Sequence, residues 1–253
     1  MGTPSSTEQK RLYGGLAWTW PIISPPEDYV RETEEFCKVI RKHSQSDVKT
    51  LLHLGCGGGH NDSTLKKHFE VTGVDVSEAM LGLARRLNPE VTYVIGDMRT
   101  VRLGKVFDAV AVFDSLAYML TEDDLRAAFV TAFVHLKPGG VCCTYVEQSK
   151  ERFQQNRTRC STHARGDVEI TFIENSYDPG PTNSAYEATF VYLIRRSGKL
   201  QIETDRHLVG LFPLDTRLGL LKDVGFEVRQ REFRDSGLEG GSCPTVVCRK
   251  PSW

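Results

Sequence analysis

The ten residues Leu51-Leu52-His53-Leu54-Gly55-Cys56-Gly57-Gly58-Gly59-His60 constrain this chain more than any other stretch. An apolar run over 49–54 predicts a buried strand, and it empties into a glycine loop ahead of a helical pattern over 61–69. A sharp turn there needs residues without a Cβ, because a side chain would hold a ligand off the main chain. The helix that follows presents unpaired N–H groups at the mouth of the turn. Strand, bare turn and helix in that order make a corner suited to a nucleotide-type ligand.

Downstream of it, strand and helix signals alternate, which implies an α/β fold with a mostly parallel sheet covered on both faces. A second strand over 70–74 delivers Asp75 and Val76, and Ser77 is placed to cap a helix that turns Met80, Leu81 and Ala84 to the sheet. A third over 91–95 delivers Gly96-Asp97-Met98. A fourth over 106–113 delivers Asp114-Ser115. A helix over 121–136 and the turn Lys137-Pro138-Gly139-Gly140 lead into a fifth over 141–146. In open α/β sheets ligands lie beyond the carboxyl ends of the strands. Here four such ends carry glycine, Asp75, Asp97 and Asp114.

The pattern then changes. Residues 168–177, 185–195 and 200–211 alternate with period two and are separated by Asp178-Pro179-Gly180-Pro181 and Ser197-Gly198. They predict an antiparallel meander inserted at about 149–212, too long for a connection and placed to act as a substrate lid. A helix over 214–224, stopped by Gly225, returns to the sheet. Strands over 226–233 and 245–248 follow, joined by Leu238-Glu239-Gly240-Gly241-Ser242. So short a link cannot carry a parallel crossover, so the two are antiparallel and the last strand is reversed.

A length of 253 residues and a formal charge of −1 fit one domain without the basic footprint of a nucleic-acid binder. No apolar run is long enough to span a membrane. Seven cysteines without Cys-x-x-Cys spacing suit reduced thiols in a cytoplasmic protein, with neither a disulfide framework nor a metal site. Residues 1–12 are small and polar and predict a disordered tail ahead of a domain over 13–253. Within Leu12-Tyr13-Gly14-Gly15-Leu16-Ala17-Trp18-Thr19-Trp20-Pro21 the aromatic residues either pack on the core or cover the site as a lid. A helix opens at Pro25-Pro26-Glu27-Asp28 and runs to about residue 43, with Tyr29, Val30, Phe36, Val39 and Ile40 as its apolar face. Composition leaves monomer and homodimer equally open.

The glycine loop with an acid twenty positions after Gly55 satisfies NAD, FAD and adenosyl cofactors alike. A carboxylate at Asp75 accepts both hydrogen bonds that vicinal ribose hydroxyls donate. Asp97 offers an acceptor for an adenine amine, and no catalytic domain of dehydrogenase size follows. Both features favour an adenosyl cofactor.

With these residues in view, the chain resembles the class I S-adenosylmethionine (SAM) methyltransferases. The resemblance rests on Leu54-Gly55-Cys56-Gly57-Gly58-Gly59, Gly73-Val74-Asp75-Val76-Ser77, Gly96-Asp97-Met98, Phe107-Asp108-Ala109-Val110 and Leu136-Lys137-Pro138-Gly139-Gly140, in that order. It implies a Rossmann-like seven-stranded sheet with a reversed last strand. It also implies SAM as cofactor: Gly55, Cys56 and Gly57 at its methionine side, Asp75 with Val76 at the ribose, and Asp97 with Met98 at the adenine. Asp114 completes the set. Gly96-Asp97-Met98-Arg99, Asp114-Ser115-Leu116-Ala117-Tyr118-Met119 and Asp205-Arg206-His207-Leu208-Val209-Gly210-Leu211-Phe212 look more narrowly like small-molecule N-methyltransferases that act on nucleotide-linked amino sugars. The segment Trp18-Thr19-Trp20-Pro21 departs from that group.

The expected chemistry is methyl transfer to a nitrogen, or less favourably an oxygen, of a small-molecule acceptor. Positioning supplies most of the catalysis in such an in-line displacement. An amine must shed a proton before it attacks, which gives a base something to do. His207, on the meander strand that returns to the site, is the candidate base, and Tyr13, Tyr118 and Trp18 are candidate walls. His60 would meet the polar end of the cofactor or start the helix. Other readings of the same residues are a SAM-binding regulator without catalysis and an NAD(P)-dependent reductase.

Overall fold

The structure is a computed structural model, and it describes residues 10–146, 148–180, 184–234 and 242–252. The loop 238–241, Pro181 and the first nine residues of the expected tail lie outside the described residues. Lys10, Arg11 and Leu12, assigned to that tail from sequence, belong to the fold instead. Arg11–Tyr13 is a 3-10 turn and Leu12 is buried.

Seven strands form the main sheet: β1 (Thr50–Leu54), β2 (Glu70–Asp75), β3 (Thr92–Ile95), β4 (Phe107–Ala111), β5 (Leu136–Tyr145), β10 (Glu227–Arg234) and β11 (Ser242–Arg249). Their spatial order is β10-β11-β5-β4-β1-β2-β3. The pairs from β3 across to β5 are parallel, and β11 runs antiparallel to both of its neighbours. All five residues of β4 are buried, as expected where helices cover both faces of a parallel sheet. After the single turn α1 (Trp20–Ile23), α2 (Val30–His43), which buries Thr33, Phe36, Cys37 and Ile40, lies on one face with the single turn α3 (Asp62–Leu65). Val30, expected on the apolar face, is exposed. On sides of the sheet reached through the crossovers lie α4 (Glu78–Leu87), α5 (Glu122–Val134) and α6 (Leu214–Val224).

Caps define where these helices begin. Ser77 Oγ accepts from the Met80 amide at 3.1 Å and Thr121 Oγ1 from the Asp124 amide at 3.1 Å. Met80, Leu81 and Ala84 are fully buried, the orientation that the spacing predicts.

Three expectations need correction. The helix after the glycine loop is one turn, not nine residues, because the chain is pulled into β2 by residue 70. The turn before the fifth strand is part of β5: the Lys250 carbonyl accepts from the Gly139 amide and the Gly140 carbonyl accepts from the Lys250 amide, both at 2.9 Å. The meander has four strands, not three. They are β6 (Arg157–Arg165), β7 (Val168–Tyr177), β8 (Ala185–Arg196) and β9 (Lys199–Gly210), each antiparallel to the next. The added strand β6 is an exposed edge strand with no apolar alternation to announce it.

The N-terminal segment fastens the two sheets together. Leu12, Leu16, Ala17 and Ile23 share an apolar cluster with Met80 of α4 and with Ile170, Tyr186, Tyr192 and Val209 of the meander. Burying a leucine side chain contributes about 1.5–3 kcal/mol, so this cluster is a substantial anchor. Gly210 brings β9 within contact of the turn at 114–118: a Cβ there would stand 2.1 Å from the Met119 carbonyl oxygen. Among the described residues, no helix is long and apolar enough to cross a membrane.

Candidate active site

Because β1 to β4 are parallel, their carboxyl ends share one edge of the sheet, and the residues that leave them enclose one cavity of about 340 Å³. Gly55, Cys56, Gly57, Asp75, Val76, Asp97, Met98 and Asp114 all line it, and so do Tyr13 and Tyr118. The structure therefore brings the eight residues expected at the cofactor together with both candidate tyrosines.

The floor is the glycine loop. Gly57 has φ 53°, a left-handed conformation, and the position of its missing Cβ has nothing within 4 Å. That is a cradle of exposed main chain. Its amide donates to Asp75 Oδ2 at 2.8 Å, while Asp75 Oδ1 takes the Ser77 amide at 2.9 Å. Burial pushes the Asp75 carboxyl above its ordinary value, against the lowering effect of these N–H groups and of nearby His53. Each carboxylate oxygen keeps a lone-pair site for a further donor.

Asp97 is held differently. Arg99 donates from Nε to both of its carboxylate oxygens, from Nη2 to Oδ2 and from its amide to Oδ1. The Arg99 guanidinium holds the Asp97 carboxyl below the usual carboxylate range. It reaches on to Asp124 at 2.8 Å. An adenine amine at Asp97 would have to replace one of these bonds.

One wall is aromatic. Trp20 stacks on His60 with centroids 5.9 Å apart, and Tyr29 meets the same imidazole edge-on at 5.5 Å. His60 lines the cavity, and its α3 neighbour Asn61 is the N-cap position, without a side-chain cap bond. His60 is thus part of the wall rather than a helix cap. Burial lowers its pKa to about 4, so the ring is neutral at physiological pH. Trp18 does not wall the site: it is 38% exposed, with the Arg196 guanidinium 5.4 Å from its ring centre. The turn of the chain gives that place to Trp20.

His207, like Trp18, does not line the cavity. It is fully buried behind Tyr118, whose hydroxyl is 2.9 Å from His207 Nδ1. The expected base therefore meets the cavity only through the Tyr118 hydroxyl. Sequence reasoning passed over Asp205, whose Oδ2 is 2.8 Å from His207 Nε2. The signal was present, since residues two apart on a strand point to one face. It also passed over His53, which lines the cavity with its Nδ1 2.6 Å from buried Asp62. Among the described residues no cluster of His, Cys, Asp and Glu is arranged to hold a metal ion.

Comparison with known proteins assigns this architecture. A methyltransferase-domain family model matches residues 51–140, from β1 through the start of β5. The chain is 30% identical over 214 residues to a dTDP-3-amino-3,4,6-trideoxy-alpha-D-glucopyranose N,N-dimethyltransferase of Streptomyces venezuelae, covering 83% of this chain and 89% of that one. It is 31% identical over 220 residues to a dTDP-3-amino-3,6-dideoxy-alpha-D-glucopyranose N,N-dimethyltransferase of Streptomyces fradiae, covering 85% and 82%. Among solved structures, SAM-bound CalS10, an amino pentose methyltransferase from Micromonospora echinaspora, superposes with a TM-score of 0.76 at 25% identity, covering 88% of this chain and 91% of that one. The chain belongs to the SAM-dependent methyltransferase family. The open cradle at Gly57 and the half-buried carboxylate of Asp75 fit the methyl donor of that family.

Proposed function

We propose that this methyltransferase acts on the amine of a nucleotide-linked amino sugar. The observation that carries the reading is the continuation of the donor cavity. Phe113 and Asp114 line both that cavity and a neighbouring cleft, which also includes Gln148 and Tyr186. Gln148 and Tyr186 in turn line a pocket where Arg152, Arg157 and Arg159 converge with Glu174. Arginine forks match phosphate oxygens in geometry and charge. An acceptor with its amine at the cavity and its diphosphate at the arginines would span this path. The names of the two Streptomyces relatives agree with such a substrate.

In this reading the main chain at Gly55, Cys56 and Gly57 holds the methionine end of SAM, Asp75 with Val76 the ribose, and Asp97 with Met98 the adenine, with Asp114 at the rim. Bound there, SAM supplies an electrophilic methyl carbon on a sulfonium. The protein's work is to orient the acceptor and exclude water. The Tyr13 and Tyr118 hydroxyls, 2.8 Å apart, are the polar groups of the wall that meets the amine. The N-terminal segment and the inserted sheet β6–β9 cover the site as a lid within one domain that includes Lys10, Arg11 and Leu12. One chain supplies every residue named, so neither a partner subunit nor a nucleic acid is required. The cytoplasm, where nucleotide sugars and SAM occur, suits the six described cysteines, all of them free thiols.

The test is a labelled-methyl assay with SAM against dTDP-amino sugars, free amino sugars and phenols. Methylated nitrogen on the nucleotide-linked acceptor, with much weaker turnover of the free sugar, is the expected result. Transfer to phenols alone would overturn it.

A further inference from the structure

We propose that Tyr13, Tyr118 and His207 form a proton relay that removes the proton from the acceptor nitrogen, and that Asp205 is the positioning residue that sets its direction. The inference rests on the amine reading above.

The line of hydrogen bonds is continuous from cavity to interior. Tyr13 Oη donates to Tyr118 Oη at 2.8 Å, Tyr118 Oη stands 2.9 Å from His207 Nδ1, and His207 Nε2 stands 2.8 Å from Asp205 Oδ2. The side chains of His207 and Asp205 are fully buried. Main-chain donors fix the carboxylate, among them the Leu12 amide on Oδ2 at 2.6 Å and the Arg206 amide on Oδ1 at 2.9 Å. Burial pulls the Asp205 carboxyl upward, but the amides of Arg11 and Leu12 and the His207 ring outweigh it and hold it below the usual carboxylate range.

Directions follow from that charge. An ionised carboxylate only accepts, so Nε2 carries the hydrogen and Nδ1 of the neutral ring keeps its lone pair. Nδ1 then accepts from the Tyr118 hydroxyl, which leaves the Tyr118 oxygen to accept from Tyr13. Every hydrogen in the line points away from the cavity, and the Tyr13 oxygen is left with lone pairs for an incoming N–H. The step balances without another reactant. An ammonium N–H bond breaks and its proton goes to Tyr13 Oη. The Tyr13 proton passes to Tyr118 Oη and the Tyr118 proton to His207 Nδ1. The electron pair stays on nitrogen, which is now a free amine, and the imidazolium faces the Asp205 carboxylate. Neither tyrosine is left as phenolate, in keeping with burial, which raises both phenols. After one methyl has been added, the secondary ammonium must lose a proton before a second attack, and the same line serves again.

The charged and titratable groups around His207 are few. Tyr13 comes from the N-terminal segment, Tyr118 from the 114–118 turn and Asp205 from β9 itself, while β8 presents the Phe190 ring at 4.7 Å. Lys10 lies 5.3 Å from the centre of the Tyr118 ring, and the Arg11 side chain is engaged by Glu203 and the Thr204 carbonyl.

Tyr118→Phe, His207→Gln and Asp205→Asn test the relay in the intact protein, with SAM affinity by calorimetry as the check on folding. Tyr118→Phe leaves the Asp205 contact to Leu12 in place, so it guards against a purely structural loss. The expected result is turnover lower by about 10²-fold at pH 7, recovering as pH approaches the solution pKa of the amine, with product stalled at the monomethyl stage. Nitrogen-15 NMR of the His207 ring, which needs no acceptor, is expected to show hydrogen on Nε2 in the wild type and a shifted tautomer in Asp205→Asn. Variants with the wild-type pH profile and product ratio, or a wild-type ring with hydrogen on Nδ1, would overturn the relay. A wild-type enzyme that methylates only oxygen would overturn the amine reading, and the relay with it, whatever the ring shows.

Discussion

Leu12 and Asp205 are 193 residues apart in the chain and are joined by a buried hydrogen bond of 2.6 Å from the Leu12 amide to the carboxylate. A hydrogen bond to a charged group contributes about 1.5–3 kcal/mol. Here it ties the segment that bears Tyr13 to the strand that bears His207. The wall of the site is therefore assembled by tertiary contact, not by neighbours in sequence.

Leu12→Pro removes that donor. The expected outcome is a local loosening worth about 1.5–3 kcal/mol, with amide exchange accelerated over residues 10–20 and the main sheet still protected. Uniform loss of protection across β1, β4 and β5 would instead mean that the segment is integral to global stability.

Asp75→Ala removes the acceptor assigned to the ribose hydroxyls, besides stranding the amides of Gly57 and Ser77 in free and bound protein alike. SAM affinity is expected to fall by about 1–3 kcal/mol, the cost of leaving the ribose donors unpaired. Calorimetry decides it, and an unaltered dissociation constant would sink the ribose assignment.

Arg157→Ala combined with Arg159→Ala addresses the acceptor end. KM for a nucleotide-linked acceptor is expected to rise by about tenfold or more, in line with roughly 1.5–3 kcal/mol for a charged hydrogen bond, while SAM affinity stays the same. A parallel change in both constants would place these arginines in folding rather than recognition.

Acid stability has a separate source. Asp108 is buried, although its carboxyl is held at about 2: the Lys137 ammonium at 2.7 Å, the amides of Lys49 and Thr50 and the Thr50 hydroxyl more than offset the upward pull of burial. A carboxyl whose pKa is lower folded than unfolded stabilises the fold above its unfolded pKa of about 4 and loses that contribution as pH falls through about 2. The contribution is on the order of 1–2 kcal/mol. Denaturant midpoints measured between pH 6 and pH 2 are expected to fall less steeply for Asp108→Asn than for the wild type. Parallel curves would assign the acid sensitivity elsewhere.

The parallel half of the fold was readable because each buried strand is a short apolar run punctuated by glycine or an acid. The antiparallel end was readable from the shortness of its final link alone. What escaped was polar or remote. Strand β6, with the sequence Arg-Thr-Arg-Cys-Ser-Thr-His-Ala-Arg, lies at a solvent edge where neither face selects for apolar residues. It is specified by its pairing with β7, which no local pattern reveals. The residues that line the cavity from β1 to β4 were legible as a set because strand ends are shared in a parallel sheet. The place of His207 was half legible for a geometric reason: its strand does return toward the site, but Tyr118, 89 positions away in sequence, stands in between. Trp18 and Trp20 could not be told apart without the short turns of the N-terminal segment.

On the proposed reading the donor berth comes from one unbroken stretch, 55–115, whereas much of the surface that would meet the acceptor comes from residues 10–29 and from the insertion that begins near Gln148. These are physically separable modules with different histories of constraint open to them. If that reading holds, drift in the N-terminal segment and the insertion would redirect the enzyme to a new acceptor without disturbing the berth, and grafting those two pieces between relatives would exchange their specificities.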